Sequence, residues 1–450
     1  MGGMRWNRPI APNRRPRRQR GRGARNPAVG AGRRVAALVV LALLAAACSL
    51  PAPSSTGAGP DDLVWAVGGA SAAPGAVNER IATLYTEQDP SRPAVKLVPL
   101  PDEADLQREQ MAYELQAQSP TFDILGLDVI WTGEFAVNGW IEKLEDRRGD
   151  LEGVVLDPAL ESALHQEEVW AAPFNTNAGF LYYRSDLVDE PPKTWDELAT
   201  MAKEIGEREG IGGYVGQGSQ YEGLVVNYLE LVWGAGGELV NEDGSQAVLD
   251  QNEAGQRALE FMQTSLEDGT FAPGFNTMLE EEGRNTFQSG KAVFMRNWPY
   301  AYSLMQGEDE ENPSAVEGKF DIAPLPTFTG EGTVSALGGF NLAVNAYSEK
   351  TEEAKDFVVW AATDPEAQKM LAEDSLPPTR EDVYDELSDD PVMSLLAEIL
   401  PQSKPRPPVP SYNFLSQDIQ QAIFPAYNGS APVGPTINDL NTELTSQLEG

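Results

Sequence analysis

Along this chain short apolar runs alternate with stretches of helical period. Leu63-Val64-Trp65-Ala66-Val67 is continuously apolar and closes at Gly68-Gly69, which predicts a buried strand. A helix is predicted over roughly Ala76 to Glu87, a strand at Val95-Lys96-Leu97-Val98, and a helix over Ala104 to Gln118. Phe122 to Leu127 follows as a third strand. Further on, Gly179 to Tyr183 is strand-like. Thr194-Trp195-Asp196-Glu197 has the form of a capping box, threonine at the N-cap and glutamate three residues on. Leu198, Met201, Ala202 and Ile205 continue at helical spacing, and Gly210 supplies a stop. Helices are predicted again at about Glu253 to Leu266, along the face Ala354, Phe357, Val358 and Ala361, and after Asp364-Pro365, where proline takes the favoured first position. Strands that alternate with helices argue an α/β layer with a parallel sheet. No repeat of 20–50 residues is visible, so a solenoid is not expected. The glycine loops Gly234-Ala235-Gly236-Gly237 and Gly338-Gly339 lack the spacing of a nucleotide cradle.

The amino-terminal part follows a different pattern. Eleven arginines between Arg5 and Arg34 precede an apolar run from Val35 to Ala47, then Cys48, then a Pro/Ser/Gly stretch to Pro60. A basic head, a short apolar run and a small-residue site form a secretory signal, and the run is too short to span ~30 Å of hydrocarbon. Residues 1–47 are expected to be a signal peptide and 48–60 a linker. Cys48, straight after Ala45-Ala46-Ala47, resembles the acylated cysteine of a bacterial lipoprotein. Ordinary signal cleavage and a short membrane anchor are the alternatives. Arg33-Arg34 also resembles a twin-arginine export signal.

Without the leader the chain carries 22 basic and 69 acidic residues, a net charge of −47. Such a surface repels nucleic acid and anionic lipid, so neither is expected as a partner. About 400 residues suffice for two or three domains. Cys48 is the single cysteine and His165 the single histidine. His/Cys metal clusters and Ser-His-Asp chemistry therefore lack parts, and no metal or cofactor is expected, with carboxylate-bound calcium left open. His165, in the polar stretch His165-Gln166-Glu167-Glu168, is expected at the surface. Trp131, Trp140, Trp195, Trp233 and Trp360 are assigned to packing.

Several blocks resemble the extracellular solute-binding proteins (family 1) of sugar ABC importers, in particular their trehalose/maltose-binding branch. They are Leu127 to Ala136 with Gly139-Trp140; Ala172 to Gly179 with Tyr182-Tyr183-Arg184; Pro192 to Leu198; Gln220-Tyr221-Glu222-Gly223; Arg296-Asn297-Trp298-Pro299-Tyr300; Leu337 to Asn341; and Arg406-Pro407. They fall in family order over most of the chain after the leader. The resemblance implies a two-lobed periplasmic-binding-protein-like fold (type II) of class α/β, with discontinuous lobes and a ligand cleft between them. Three crossings are expected, near Asn175 to Gly179, near Gly290 to Val293 and between Pro326 and Leu337. This gives an amino-terminal lobe of 61–175 and 293–328 and a carboxy-terminal lobe of 176–292 and 329–450.

The same resemblance nominates the ligand contacts. Asp128 follows the third strand, where a carboxylate accepts from adjacent hydroxyls; its other reading is an N-cap for the helix near Thr132. Asn175 and Asn177 lie on the first crossing, where an amide serves hydroxyls or merely a turn. Trp298 and Tyr300 flank Pro299 and offer rings for the C–H face of a sugar, or for the core. Gly338 and Gly339 let backbone approach a ligand or form a turn. Phe340 stands where relatives often have tryptophan. Tyr221 and Glu222 sit in a loop before a helix, as contacts or caps. Arg406 lies between Pro405 and Pro407 with a forked donor suited to hydroxyl pairs or to a carboxylate.

The implied function is a non-catalytic receptor, a monomer held at the extracellular face of the cell membrane by its lipid alone. It would capture a disaccharide or oligosaccharide such as trehalose or maltose and deliver it to the transmembrane permease subunits of an ABC importer. A glycoside hydrolase drawing on Asp128, Glu134 or Glu222, and a structural envelope lipoprotein, are the alternatives.

Overall fold

The structure, a computed structural model, describes residues 58–450 apart from 242–243, 308–312, 388, 408 and 450. The expected signal peptide, Cys48 and nearly all of the expected linker lie outside the described residues.

Eleven strands are described. They are β1 (Leu63–Gly68), β2 (Val95–Leu100), β3 (Ile124–Asp128), β4 (Leu164–His165), β5 (Glu168–Val169), β6 (Ala172–Ala178), β7 (Phe180–Tyr183), β8 (Gly212–Val215), β9 (Ala292–Asn297), β10 (Asp321–Ala323) and β11 (Leu337–Val344). The first sheet runs β2-β1-β3-β11-β6, with β1 parallel to β2 and β3 and β11 antiparallel to both neighbours. Side chains alternate across β1. Leu63, Trp65 and Val67 enter one apolar layer with Ile81, Phe357 and Leu371, while Val64 and Ala66 enter another with Met111, Leu115 and Phe135. The contributing helices are Val77–Gln88, Ala104–Gln116, Thr132–Val137, Thr351–Thr363 and Pro365–Glu373. A sheet covered on both faces explains why β1 reads as a continuous apolar run.

The second sheet runs β10-β7-β9-β8. Along β7, Leu181 and Tyr183 face one apolar layer and Phe180 and Tyr182 the other. The helix Trp195–Glu209 starts in the predicted capping box: Thr194 Oγ1 accepts from the Glu197 N–H at 3.1 Å, and Glu197 Oε2 accepts from the Thr194 N–H at 3.2 Å. It stops at Gly210, which takes φ 72°. The helix Glu222–Gly234 is buried on every side, in keeping with its nearly unbroken apolar composition. Helices Tyr412–Tyr427 and Val433–Leu448 close the layer beside it.

The lobe boundaries differ from those expected. β6 passes into β7 at Gly179, and the chain returns to the first sheet at Leu337, as anticipated. At 290–293 there is no crossing: β9 pairs with β7 and β8, and β10 pairs with β7, so 292–297 and 321–323 belong to the second sheet. Conversely, β11 and the helices Thr351–Thr363 and Pro365–Glu373 belong to the first sheet, not to the carboxy-terminal lobe. The remaining crossing lies beyond Glu373. Pro378 still bridges to Asn175, whereas the helix Pro391–Ile399 packs against the second sheet. Local patterning reveals a strand but not its partner, because pairing is a non-local choice.

Trp131, Trp140, Trp195 and Trp233 are buried, and Trp360 is half-buried. His165 is half-buried rather than exposed. The β4–β5 hairpin folds it toward Trp170, whose indole N–H donates to the His165 carbonyl at 3.2 Å.

Candidate functional site

Strand order brings three of the nominated positions side by side. Phe340 of β11 stands opposite Asp128 of β3 on one side and opposite Asn175 of β6 on the other. β3 and β6 both end here, at the edge of the first sheet that precedes the crossing to the second. Asn175 is spent on the fold, since its Oδ1 accepts from the Phe340 N–H at 2.8 Å. Asn177, two residues on, is 7% exposed and its Oδ1 has no hydrogen-bond partner among the described residues. A buried acceptor without a donor is costly. Phe340 keeps 36% of its surface exposed.

The second sheet supplies the facing wall. Trp298 follows β9 directly and is half-buried. Its N–H is held by Asn297 Oδ1 at 2.8 Å, and its carbonyl accepts from the Tyr182 hydroxyl at 2.7 Å. The two walls meet at Gly338. A Cβ placed there would lie 2.7 Å from Asn177 Oδ1 and 3.0 Å from the edge of the Trp298 ring. At Gly339, with φ 131°, a Cβ would lie 2.3 Å from the Asn175 carbonyl. Both glycines are thus required where the walls approach.

Arg406 joins the lobes. It is 3% exposed; Nη2 donates to Asp128 Oδ1 at 2.9 Å and Nη1 to Glu222 Oε1 at 2.7 Å. Its Nε is buried without a partner among the described residues. Burial works against its charge, and Asp128 and Glu222 more than offset this, so its pKa stays above the ordinary guanidinium range. Asp128 also accepts from the Ile130 N–H at 3.1 Å, which caps the short helix Val129–Trp131. The cap and the bond from Arg406 therefore share one oxygen of Asp128. Glu222 is 4% exposed and accepts from the Tyr412 hydroxyl at 2.8 Å and from Ser416. Burial raises its pKa in spite of Arg406. Glu134, the other carboxylate nominated for hydrolysis, is bound by Arg108 in the first lobe.

Tyr221 and Tyr300 stand one step behind this surface. Tyr221 is 1% exposed with its hydroxyl on Glu280 Oε2 at 2.7 Å, and the Tyr300 hydroxyl sits on Glu281 Oε1 at 2.7 Å. Glu280 is absent from the sequence reading, and Arg296 enters it only as part of a motif block; its guanidinium carbon lies 4.0 Å from the centre of the Trp298 ring. The acidic run Glu280-Glu281-Glu282 looks like any solvated helix start, so no sequence signal pointed to it. Among the described residues no group of three or more His, Cys, Asp or Glu side chains is arranged to hold a metal.

The arrangement therefore offers an indole, an unspent amide oxygen, an unspent guanidinium N–H and two glycines between two α/β lobes. Residues 57–368 match the family model of the bacterial extracellular solute-binding protein. A probable ABC transporter-binding protein of Deinococcus radiodurans is 34% identical over 372 residues, 78% of this chain and 86% of the relative. The maltose-bound MalE3 of T. maritima superposes with a TM-score of 0.80 at 34% identity, over 86% of this chain and 99% of that one. A solute-binding protein of Thermotoga lettingae bound with alpha-D-tagatose shares the fold, with a TM-score of 0.78 at 24% identity over 86% of this chain and all of that one.

Proposed function

This chain belongs to the bacterial extracellular solute-binding proteins, and from that premise we propose that it captures a disaccharide or oligosaccharide of maltose or trehalose type for an ABC importer. The observation that carries the reading is the pair of buried, unspent hydrogen-bonding groups, Asn177 Oδ1 and Arg406 Nε, in a site walled by the half-buried Trp298 ring. Hydroxyls both donate and accept, so a sugar serves both groups while its C–H face lies on the indole. The likeness to maltose-bound MalE3 supports the same ligand class. Asp128 and Arg406 form the polar side of the site, Phe340 extends the apolar side, and Gly338 and Gly339 admit the ligand between the walls. Asn175, Glu222, Tyr221 and Tyr300 hold these groups in place. Closure of the lobes selects the loaded state, and the transmembrane permease subunits receive the sugar.

A thermal-shift series over maltose, trehalose, tagatose and mannitol tests the ligand class. A sugar at 100 Kd adds about 2.7 kcal/mol to stability. No shift with any carbohydrate would argue against this reading. Anchoring through Cys48 is part of the same proposal, supported by its place at the end of the signal-like run. Cys48→Ala is expected to move the protein from the membrane fraction into the medium; retention in the membrane after detergent-free washing would show a different anchor.

A further inference from the structure

The face of Trp298 that Arg296 covers leads to the hinge. Arg296 is 1% exposed and forks onto Glu230, with Nε to Oε2 at 2.9 Å and Nη2 to Oε1 at 2.6 Å. Its Nη1 donates to Gln217 Oε1 at 3.2 Å. Glu230 lies within the fully buried helix Glu222–Gly234, and its Oε1 takes one more bond, from the Ala336 N–H at 3.0 Å. Ala336 is the last residue before the return to the first sheet. Beside it, Ser335 Oγ donates at 2.8 Å to the carbonyl of Gly179, the residue of the outgoing crossing. Gly179 itself passes so close that a Cβ would lie 2.5 Å from Arg296 Nη2 and 2.7 Å from Glu230 Oε1. One buried ion pair thus touches the Trp298 ring and two of the segments that join the sheets.

A buried ion pair is no economical way to fill a core, since apolar residues of equal volume do as well or better. Its chemistry suits a different task. A guanidinium is flat, so one plane underlies an aromatic ring while its edge forks onto a carboxylate. No ammonium does both. The carboxylate then spends one further lone pair on the hinge backbone, at the Ala336 N–H. The tilt of the indole and the course of Gly179 and Ala336 are fixed by a single rigid group.

We propose that Arg296 and Glu230 are positioning residues that couple the Trp298 ring to these two crossing segments, so that stacking of a ligand on Trp298 biases the angle between the lobes. This rests on the reading that a sugar stacks on Trp298. The pair supplies a contiguous physical link with a defined geometry, which is what coupling between a site and a hinge requires.

The test uses the full chain with Cys48→Ser, which removes the only native thiol. Glu87→Cys and Glu207→Cys, exposed and one on each lobe, then take a pair of spin labels for distance measurement. Without ligand, Arg296→Lys and the milder Glu230→Gln are expected to broaden or shift the distance distribution relative to the parent. Glu230→Gln keeps the side chain's shape and one acceptor oxygen while breaking the fork, and guards against misfolding of the first variant. Distributions identical to the parent in the folded variants would overturn the proposal. Calorimetric titration with maltose adds a double-mutant cycle. Arg296→Lys is expected to weaken binding roughly tenfold when Trp298 is present and to have little further effect beside Trp298→Ala, because it acts through the ring. Strictly additive losses would overturn the coupling even if both variants bind weakly. Parental affinity in Trp298→Ala, or no maltose binding by the parent, would count against the sugar reading instead, and the ligand-free distances then decide the hinge claim alone.

Discussion

Gly338 shows how narrow the tolerances of this site are. Its missing side chain leaves room for both Asn177 Oδ1 and the Trp298 ring, each about 3 Å or less from where a Cβ would stand. Gly338→Ala must push the amide or the indole aside, and both belong to the proposed ligand surface. We expect a loss of about 1–2 kcal/mol of sugar binding, roughly 5- to 30-fold in Kd, with a small change in melting temperature. A normal Kd in calorimetry would mean that the ligand surface does not include this corner. Residues of this kind were legible in the sequence, because Trp298, Gly338, Gly339 and Arg406 sit in motifs. Their supports were not. Glu230 and Arg296 are separated by 66 positions, and nothing local announces that they pair. Asp128 and Glu222 were legible as polar residues at element ends, but their shared partner Arg406 lies 278 and 184 positions away.

Elements were the most legible level, because their signals are local. The capping box at Thr194, the stop at Gly210 and the Asp364-Pro365 start all appear where periodicity and turn chemistry placed them. Thr194→Ala removes the acceptor for the Glu197 N–H at an exposed helix start. It is expected to cost about 1 kcal/mol of stability and to leave sugar affinity unchanged, as denaturant unfolding beside a titration would show. A drop in affinity would tie this helix to the site. The helix Glu280–Gln288 makes the opposite case, since its acidic start looks solvated and is partly buried. Burial raises the Glu280 pKa above its ordinary 4.5, outweighing the hydrogen bond from Tyr221. Between the ordinary and the raised value the folded protein holds a proton that the unfolded chain has released. The contribution of Glu280 to stability therefore falls as pH rises through that window. Glu280→Gln keeps an acceptor for Tyr221 and removes the buried charge. Its melting temperature is expected to lose less than the parent's as pH rises above the ordinary carboxylate range. The same pH dependence in both proteins would show that Glu280 does not carry this effect.

At the scale of the whole molecule, the α/β class and the two lobes were legible, while the course of the chain between them was only partly so. The crossing at Gly179 and the return at Leu337 fall in loops flanked by recognisable strands. The strand at Ala292–Asn297 was recognisable too, but its partners, Phe180–Tyr183 and Gly212–Val215, are fixed only by the folded sheet. The last crossing hides between Glu373 and Pro391, where Pro378 still pairs with Asn175. These crossings give the ligand site its character. It is assembled from strand ends of both sheets, and Arg406 bridges Asp128 on one lobe to Glu222 on the other. Ligand binding and lobe closure are therefore expected to be one event. The most direct test is calorimetric titration of the parent and Trp298→Ala with the sugar that gives the largest thermal shift, each beside a ligand-free melt. A sugar clamped against Trp298 predicts a loss of about 2–4 kcal/mol, roughly 30- to 1,000-fold in Kd, in a variant that remains folded. A well-folded Trp298→Ala that binds the sugar with the parent's affinity would contradict the account.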